Sequence, residues 1–417
     1  MVDHSDFSSP QKQPAAAIVI DGTYNNLSVA RSLIRKGIKV YVLCDASEPV
    51  RYSRGVTWLR MSDGGSPASW EKFLLGPESD YLGGAALLAC SDPAIKLISQ
   101  NSEALSRKFL IEEGDPATRL CLLDKLQTYY RAREAGVPTV DFALVDSAAQ
   151  LSELTSKFRF PFILKPLYSP DSARLGGKFL MARNESELLA LKDRLATGIK
   201  TVAMEFVPGG DDLLCSYYCY MDERGEPIVE FTKRLLRRSP IHTGSACYHI
   251  SDWNPEAAEL GRKFFKHVKL RGIGNIEFKR DLRDGRLKVI EANARFTLGD
   301  PLLVASGVDL AWITYARLTS QPVIPTQDYK RDLVFWLPAE DLRTFWQLRS
   351  RGEITLFEWL RSISHARVLP YFSWKDPAPS LYCNAQRALR LVEMCRARLL
   401  GKSIDFRLPG VQAGKNP

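Results

Sequence analysis

The segment from Gly274 to Arg295, GNIEFKRDLRDGRLKVIEANAR, constrains the fold more than any other, because it reads as a β-hairpin whose two strands carry facing carboxylates. A loop of Arg283, Asp284 and Gly285, with the glycine in the left-handed position after a type I turn, is a favoured three-residue connection. Counting back from that loop sets Glu277 opposite Glu291 and Asn275 opposite Asn293, with Ile276 and Phe278 against Ala292 and Ile290 on the other face. One face is then apolar and the other polar. Like charges directly opposed weaken a sheet, a penalty that a bound divalent cation removes; two solvated glutamates are the plainer alternative. Two carboxylates and an amide oxygen, with no Cys or His among them, are hard ligands suited to Mg²⁺ or Mn²⁺. Arg295, two residues past Asn293, falls on the same face if the strand continues, where a guanidinium can grip a phosphoryl group or an oxyanion.

A chain of 417 residues is long enough for two or three domains. Its 45% apolar and 25% charged residues are those of an ordinary soluble globular protein. No apolar run approaches the roughly 18 residues that span a bilayer. The opening MVDHSDFSSPQKQP lacks the basic and apolar regions of a secretory signal, so a disordered lead-in over residues 1–14 and cytoplasmic residence are expected. The net charge of +9 suits nucleic acid, a membrane surface or a polyanionic small molecule, but no nucleic-acid module is legible. Part of the excess, Arg387, Arg390, Arg396, Arg398, Lys402 and Arg407, lies around LRLVEMCRARLL, a basic amphipathic helix that is either solvated, partner-facing or in peripheral contact with a membrane.

Along the chain, AAAIVI, a turn at Asp21 and Gly22, a helical pattern and IKVYVL make a βαβ unit. The glycine slots of a dinucleotide fingerprint hold Tyr24 and Leu27, which excludes that use. One helix, LCLLDKLQTYYRAREAG, carries Lys125, a position where a solvated lysine is the commoner finding. A short strand ends at Lys165 and Pro166 and feeds a loop rich in Ser, Gly and Asp that can close over phosphates. TVAMEF ends at Glu205 and Phe206 and runs into VPGGDD, a place to read a sugar or base edge. A second hairpin, CSYYCYM to PIVEFTKR, delivers Lys233, Arg234, Arg237 and Arg238 at its end, either as a solvated face or for an anionic substrate.

The order of these features resembles the ATP-grasp superfamily over roughly residues 15 to 320: Lys125, Lys165, Glu205, Asp212, Glu277, then Glu291, Asn293 and Arg295 as Glu-x-Asn-x-Arg. The late glycines of LYSPDSARLGGK, with Lys178 after Gly176 and Gly177, and FSWKDPAPSL are similar to a branch of carboxylate-amine ligases that includes D-aspartate ligase-like proteins. The resemblance implies a mixed α/β (α+β) chain with the ATP-grasp fold. It would comprise an N-terminal βαβ domain at 15–114, two antiparallel-sheet lobes clamping ATP at 115–325, and a helical C-terminal extension at 326–417. It further implies that Lys125, Lys165 and Lys178 contact phosphates, Glu205 the adenine amino edge, Phe206 and Val207 the backbone hinge, and Asp212 the ribose. Glu277, Glu291 and Asn293 would hold Mg²⁺ or Mn²⁺, and Arg295 would steady an acyl phosphate, with Lys233 and Arg237 completing the catalytic set. The expected reaction is ATP-dependent joining of a carboxylate to an amine, releasing ADP and phosphate. A bicarbonate-using carboxylase or carbamoyl-type enzyme and a non-catalytic nucleotide-binding protein are the alternatives. A homodimer is compatible with this reading.

Overall fold

The computed structural model describes residues 14–61, 63–145, 147, 150–167, 172–176, 179–192, 199–242, 244–325 and 328–399. The lead-in at 1–13, Lys178, Lys402 and Arg407 lie outside them. The chain begins with a parallel sheet of β1 (Ala17–Ile20), β2 (Val40–Leu43), β3 (Val56–Trp58) and β4 (Ala86–Ala89), in the order β3-β2-β1-β4. The run AIVI is buried at every position, as expected for a strand covered on both faces. At its end Gly22 has φ of 93°, and an added Cβ would lie 2.6 Å from the Cβ of Cys90, so only glycine lets β1 turn so close to β4.

A second, wholly antiparallel sheet holds β5 (Phe142–Val145), β6 (Phe162–Pro166), β7 (Leu180–Ala182) and β8 (Thr201–Glu205), in the order β5-β8-β6-β7. The third and largest contains β9 (Leu214–Met221), β10 (Pro227–Ser239), β11 (Ser245–Asp252), β12 (Gly272–Arg280), β13 (Leu287–Asn293), β14 (Val334–Trp336) and β15 (Ala366–Val368). Its order is β13-β12-β9-β10-β11-β14-β15, antiparallel except for the β14/β15 pair. The C-terminal region is therefore not only helical, because it adds two short strands to the central sheet.

One core runs through all three regions. Val19 and Leu27 from the N-terminal unit, Tyr218, Phe231 and Leu302 from the centre, and Phe335 and Leu337 from the C-terminal region belong to the same buried cluster. Asn25 ties the seam: its Nδ2 donates to the carbonyls of Cys90 at 2.6 Å and Phe296 at 2.9 Å. A second cluster under the opposite face joins Tyr129, Ile163 and Met204 to Tyr217, Phe265 and Phe278, and so holds the two antiparallel sheets together.

Asp300, first residue of the helix Asp300–Ser306, is buried at this seam close to Ser28. Burial pushes its acid up to about 7, with Ser28 and Arg35 pulling back and Asp309 adding to the rise. The folded chain thus holds a proton that the unfolded chain releases near pH 4. Stability from this group is complete below that pH and is lost as pH rises to 7. Asp300→Asn is expected to stabilise the protein at pH 8 by roughly 2–3 kcal/mol more than at pH 5, from a difference of about two pKa units. Urea unfolding at the two pH values checks this; a pH-independent effect would contradict it.

Candidate active site

The β12/β13 hairpin pairs Asn275 with Asn293, Ile276 with Ala292 and Glu277 with Glu291. The register at the glutamates is the expected one, but it arises from two features that offset each other. The loop has four residues, Leu282 to Gly285, closed by the Asp281 N–H donating to the Arg286 carbonyl at 2.9 Å. That loop sets Phe278 opposite Val289 rather than Ile290, and a bulge at Ile290 then restores the expected pairing beyond it. Gly285 does take the left-handed conformation, with φ of 72°.

The row continues across the sheet. Glu277 faces Ser216 on β9, Ser216 faces Lys233 on β10, and Lys233 faces Ser251 on β11. Lys233 is buried, with Nζ 3.2 Å from Nδ1 of the buried His249. Burial lowers the Lys233 ammonium pKa, against the pull of Glu277. Burial also holds His249 neutral, so Lys233 donates and Nδ1 accepts. The Glu277 carboxyl is raised first by burial and then by Glu291, while Lys233, Arg238 and Arg295 act against both. Asn293 spends its Nδ2 on Asn275 Oδ1 at 3.2 Å, which leaves its own Oδ1 as the atom it can offer a cation. The donor set of two repelling carboxylates and one amide oxygen fits a hard divalent ion.

The opposite wall supplies cations. Lys165, at the end of β6, is pushed down to about 8 by burial, with Glu291 opposing and Lys125 and Arg238 adding to the fall. At that value about half of Lys165 is neutral at pH 8, against under about one percent of an ordinary lysine. It should therefore react with trinitrobenzenesulfonate well ahead of surface lysines, and Mg-ATP should protect it. Peptide mass mapping reads both effects, and an ordinary labelling rate would contradict the assignment. Lys125 lies on a helix shorter than expected: Asp124 breaks the run into Pro116–Leu123 and Lys125–Glu134 by leaving the helical conformation. Its carboxylate then caps the second helix through the N–H groups of Leu126 and Gln127. Lys125 joins Asp92, Tyr129, Glu291, Asn293 and Arg295 around a cavity of about 110 Å³.

β13 ends at Asn293, so Arg295 lies in a bend beyond the strand; it still lines the cavity with Glu291 and Asn293, and its Nε donates to Asp92 of the N-terminal unit. Asp92 was not among the sequence candidates, although Ser91-Asp92-Pro93 after a buried strand is a legible helix start. Arg237 departs from expectation. Its guanidinium turns away from the glutamates, pairs with buried Asp341 at 2.6 and 2.9 Å and stacks on Tyr248. An irregularity in the β10/β11 pairing between Leu235 and Arg238 changes which side chains face the glutamates, and Arg238 acts on Glu277, Lys165 and Lys233 instead. Arg238 Nε is buried with no hydrogen-bond partner among the described residues.

The hinge also differs in part. Glu205 has its carboxylate engaged by Arg283 at 2.7 Å and Lys288 at 3.7 Å, so the side chain expected at an adenine edge braces the hairpin loop. Lys279 Nζ holds the connecting loop through the carbonyls of Val207 and Gly209, both at 2.9 Å. Phe206 is half-buried and Asp212 is exposed beside Asp211, whose carboxylate accepts the His242 N–H.

A parallel N-terminal sheet followed by two largely antiparallel sheets, with Lys165 on one and the Glu277/Glu291 pair on the other, is the arrangement of the ATP-grasp fold. Over 58% of this chain and 60% of the relative's length, the sequence is 26% identical to D-aspartate ligase of Enterococcus faecium. The chain thus matches less than two thirds of that relative. Among solved structures it resembles N5-carboxyaminoimidazole ribonucleotide synthetase in its ADP complex, with a TM-score of 0.62, 14% identity, and coverage of 77% of this chain and 81% of that one. It also resembles the L-amino acid ligase of Bacillus licheniformis, with a TM-score of 0.58, 14% identity, and coverage of 75% and 76%. No protein-family profile matches the chain.

Proposed function

We propose that this protein is an ATP-dependent ligase that joins a small-molecule carboxylate to an amine. The observation that carries the reading is the pairing of Glu277 with Glu291 inside a cleft walled by Lys125, Lys165, Lys233, Arg238 and Arg295. A polyphosphate with its divalent ion is the ligand that such a mixture of charges neutralises on both sides. Glu277, Glu291 and Asn293 would hold Mg²⁺ or Mn²⁺, which when bound offsets the charge on the phosphates. Lys125 and Lys165 bind the phosphates from the opposite wall, and the segment from Glu205 to Asp212 lines the nucleoside end. The role of Glu205 passes from its carboxylate to its backbone, because Arg283 occupies the carboxylate. Lys178, outside the described residues, would add a third lysine to the phosphates.

In the reaction, a carboxylate oxygen of the substrate attacks the γ-phosphorus, the bond to ADP breaks, and an acyl phosphate forms. Lys233, held by His249, and Arg238 orient the substrate carboxylate. The amine nitrogen then attacks the carbonyl carbon, Arg295 steadies the oxyanion, phosphate leaves with the bonding pair, and the nitrogen gives up its proton as the amide forms. The relation to D-aspartate ligase supports an amino acid as the carboxylate. Hydroxylamine tests the intermediate directly: with Mg-ATP, an amino acid substrate and no amine, a hydroxamate should accumulate. Amide formation with AMP released instead of ADP would overturn the reading.

A further inference from the structure

Joining an amine to an acyl phosphate needs an acceptor for one proton. The attacking nitrogen becomes an ammonium in the tetrahedral adduct, and the amide forms only when that proton has gone. Of the two acids that line the cavity, Glu291 belongs with the cation and Asp92 does not. His249 is no substitute, because it is buried and its Nδ1 accepts from Lys233.

Asp92 is presented by a well-held junction. β4 ends at Ala89, and the Cys90 carbonyl accepts from Asn25 Nδ2. The Ser91 hydroxyl then caps the helix Asp92–Gln100 by accepting the Ala94 N–H at 3.3 Å. Asp92 thereby reaches the cavity from the N-terminal unit, and its Oδ1 accepts from Arg295 Nε. Its charge is also felt by Lys125. Oδ2 has no hydrogen-bond or ion-pair partner among the described residues, and the side chain is 40% exposed. In the adduct the oxyanion and the attacking nitrogen are bonded to one carbon. A carboxylate paired with the guanidinium that steadies the oxyanion therefore stands beside the nitrogen.

We propose that Asp92 is the base that takes the proton from the amine nitrogen, a catalytic residue contributed by the N-terminal unit; this rests on the ligase reading above. The nitrogen lone pair forms the C–N bond while the carbonyl π pair moves to oxygen. Asp92 Oδ2 takes the N–H proton and leaves the bonding electrons on nitrogen. Phosphate departs with the C–O pair as the carbonyl reforms, and the exposed carboxyl returns the proton to water.

Hydroxylamine separates this role from others, because it is a weak base, neutral in ordinary buffer, that attacks an acyl phosphate without help. In Asp92→Asn, whose amide oxygen can still accept from Arg295, joining of a carboxylate and amine that the parent couples should fall by about a hundredfold or more. Hydroxamate formation from the same carboxylate should fall by at most about threefold, which also shows that the variant is folded. Asp92→Glu should recover part of the amide rate, whereas Arg295→Lys should lower both products together. Equal loss of both products in Asp92→Asn, or no recovery in a folded Asp92→Glu, overturns the proposal. So does a raised KM for the carboxylate with kcat kept, which would make Asp92 a substrate anchor. No hydroxamate from the parent would instead remove the ligase reading, and this proposal with it.

Discussion

Replacing Glu291 by glutamine is expected to lower ADP release by roughly a thousandfold, the scale lost when a group that acts on developing charge is removed. The substitution keeps the size and the strand pairing of β13 but takes away one of the two carboxylates that face each other across the hairpin. Glu277 should then ionise more readily, since Glu291 is one of the influences holding its acid up. The metal-free variant should be no less stable than the parent, because directly opposed like charges are worth roughly 0.2–1 kcal/mol against the sheet. Steady-state turnover together with thermal unfolding reads both parts. Activity near that of the parent would remove the pair from the metal site, whereas a collapsed fold would show that the pair is structural.

Asp341→Ala carries the largest expected effect on stability. Asp341 is buried at the meeting point of four elements: it accepts both guanidinium contacts of Arg237 and the indole N–H groups of Trp336 and Trp359. Alanine would leave a buried cation and two partly buried indole donors unpaired, which should destabilise the C-terminal region by about 3–5 kcal/mol. Arg234→Ala offers the contrast, because Arg234 is exposed and only 3.3 Å from Asp252, so its loss should cost under about 1 kcal/mol. Urea unfolding of the two variants checks the pair of values. A small effect at Asp341 would mean that water or a relaxed backbone replaces the missing carboxylate.

The parts of the architecture that were legible in the sequence are those dictated by local chemistry. AIVI-turn-helix-IKVYVL and the Glu277/Glu291 pairing follow from burial pattern and turn residues, and both are present. The hairpin loop is one residue longer than its turn residues suggest because Leu282 reads as a strand residue, and the compensating bulge at Ile290 is invisible to strict alternation. Asp124 stops a helix through its own capping oxygen, a signal present in the sequence but outweighed there by the apolar period around it. Whether Arg237 or Arg238 faces the glutamates is set non-locally, since the β10 irregularity and the partner Asp341, 104 residues away, together decide which guanidinium turns inward. The same holds for Glu205, whose partners Arg283 and Lys288 come from a distant hairpin.

The measurement that tests the central claim most directly is release of ADP and phosphate from Mg-ATP across a panel of carboxylates, D- and L-amino acids included. Each is supplied with and without amines, and separately with bicarbonate. A ligase requires one carboxylate and one amine together, and forms one ADP per amide. Stimulation by bicarbonate alone would transfer the site to carboxylase chemistry, and ATP binding with no turnover on any pair would contradict the account.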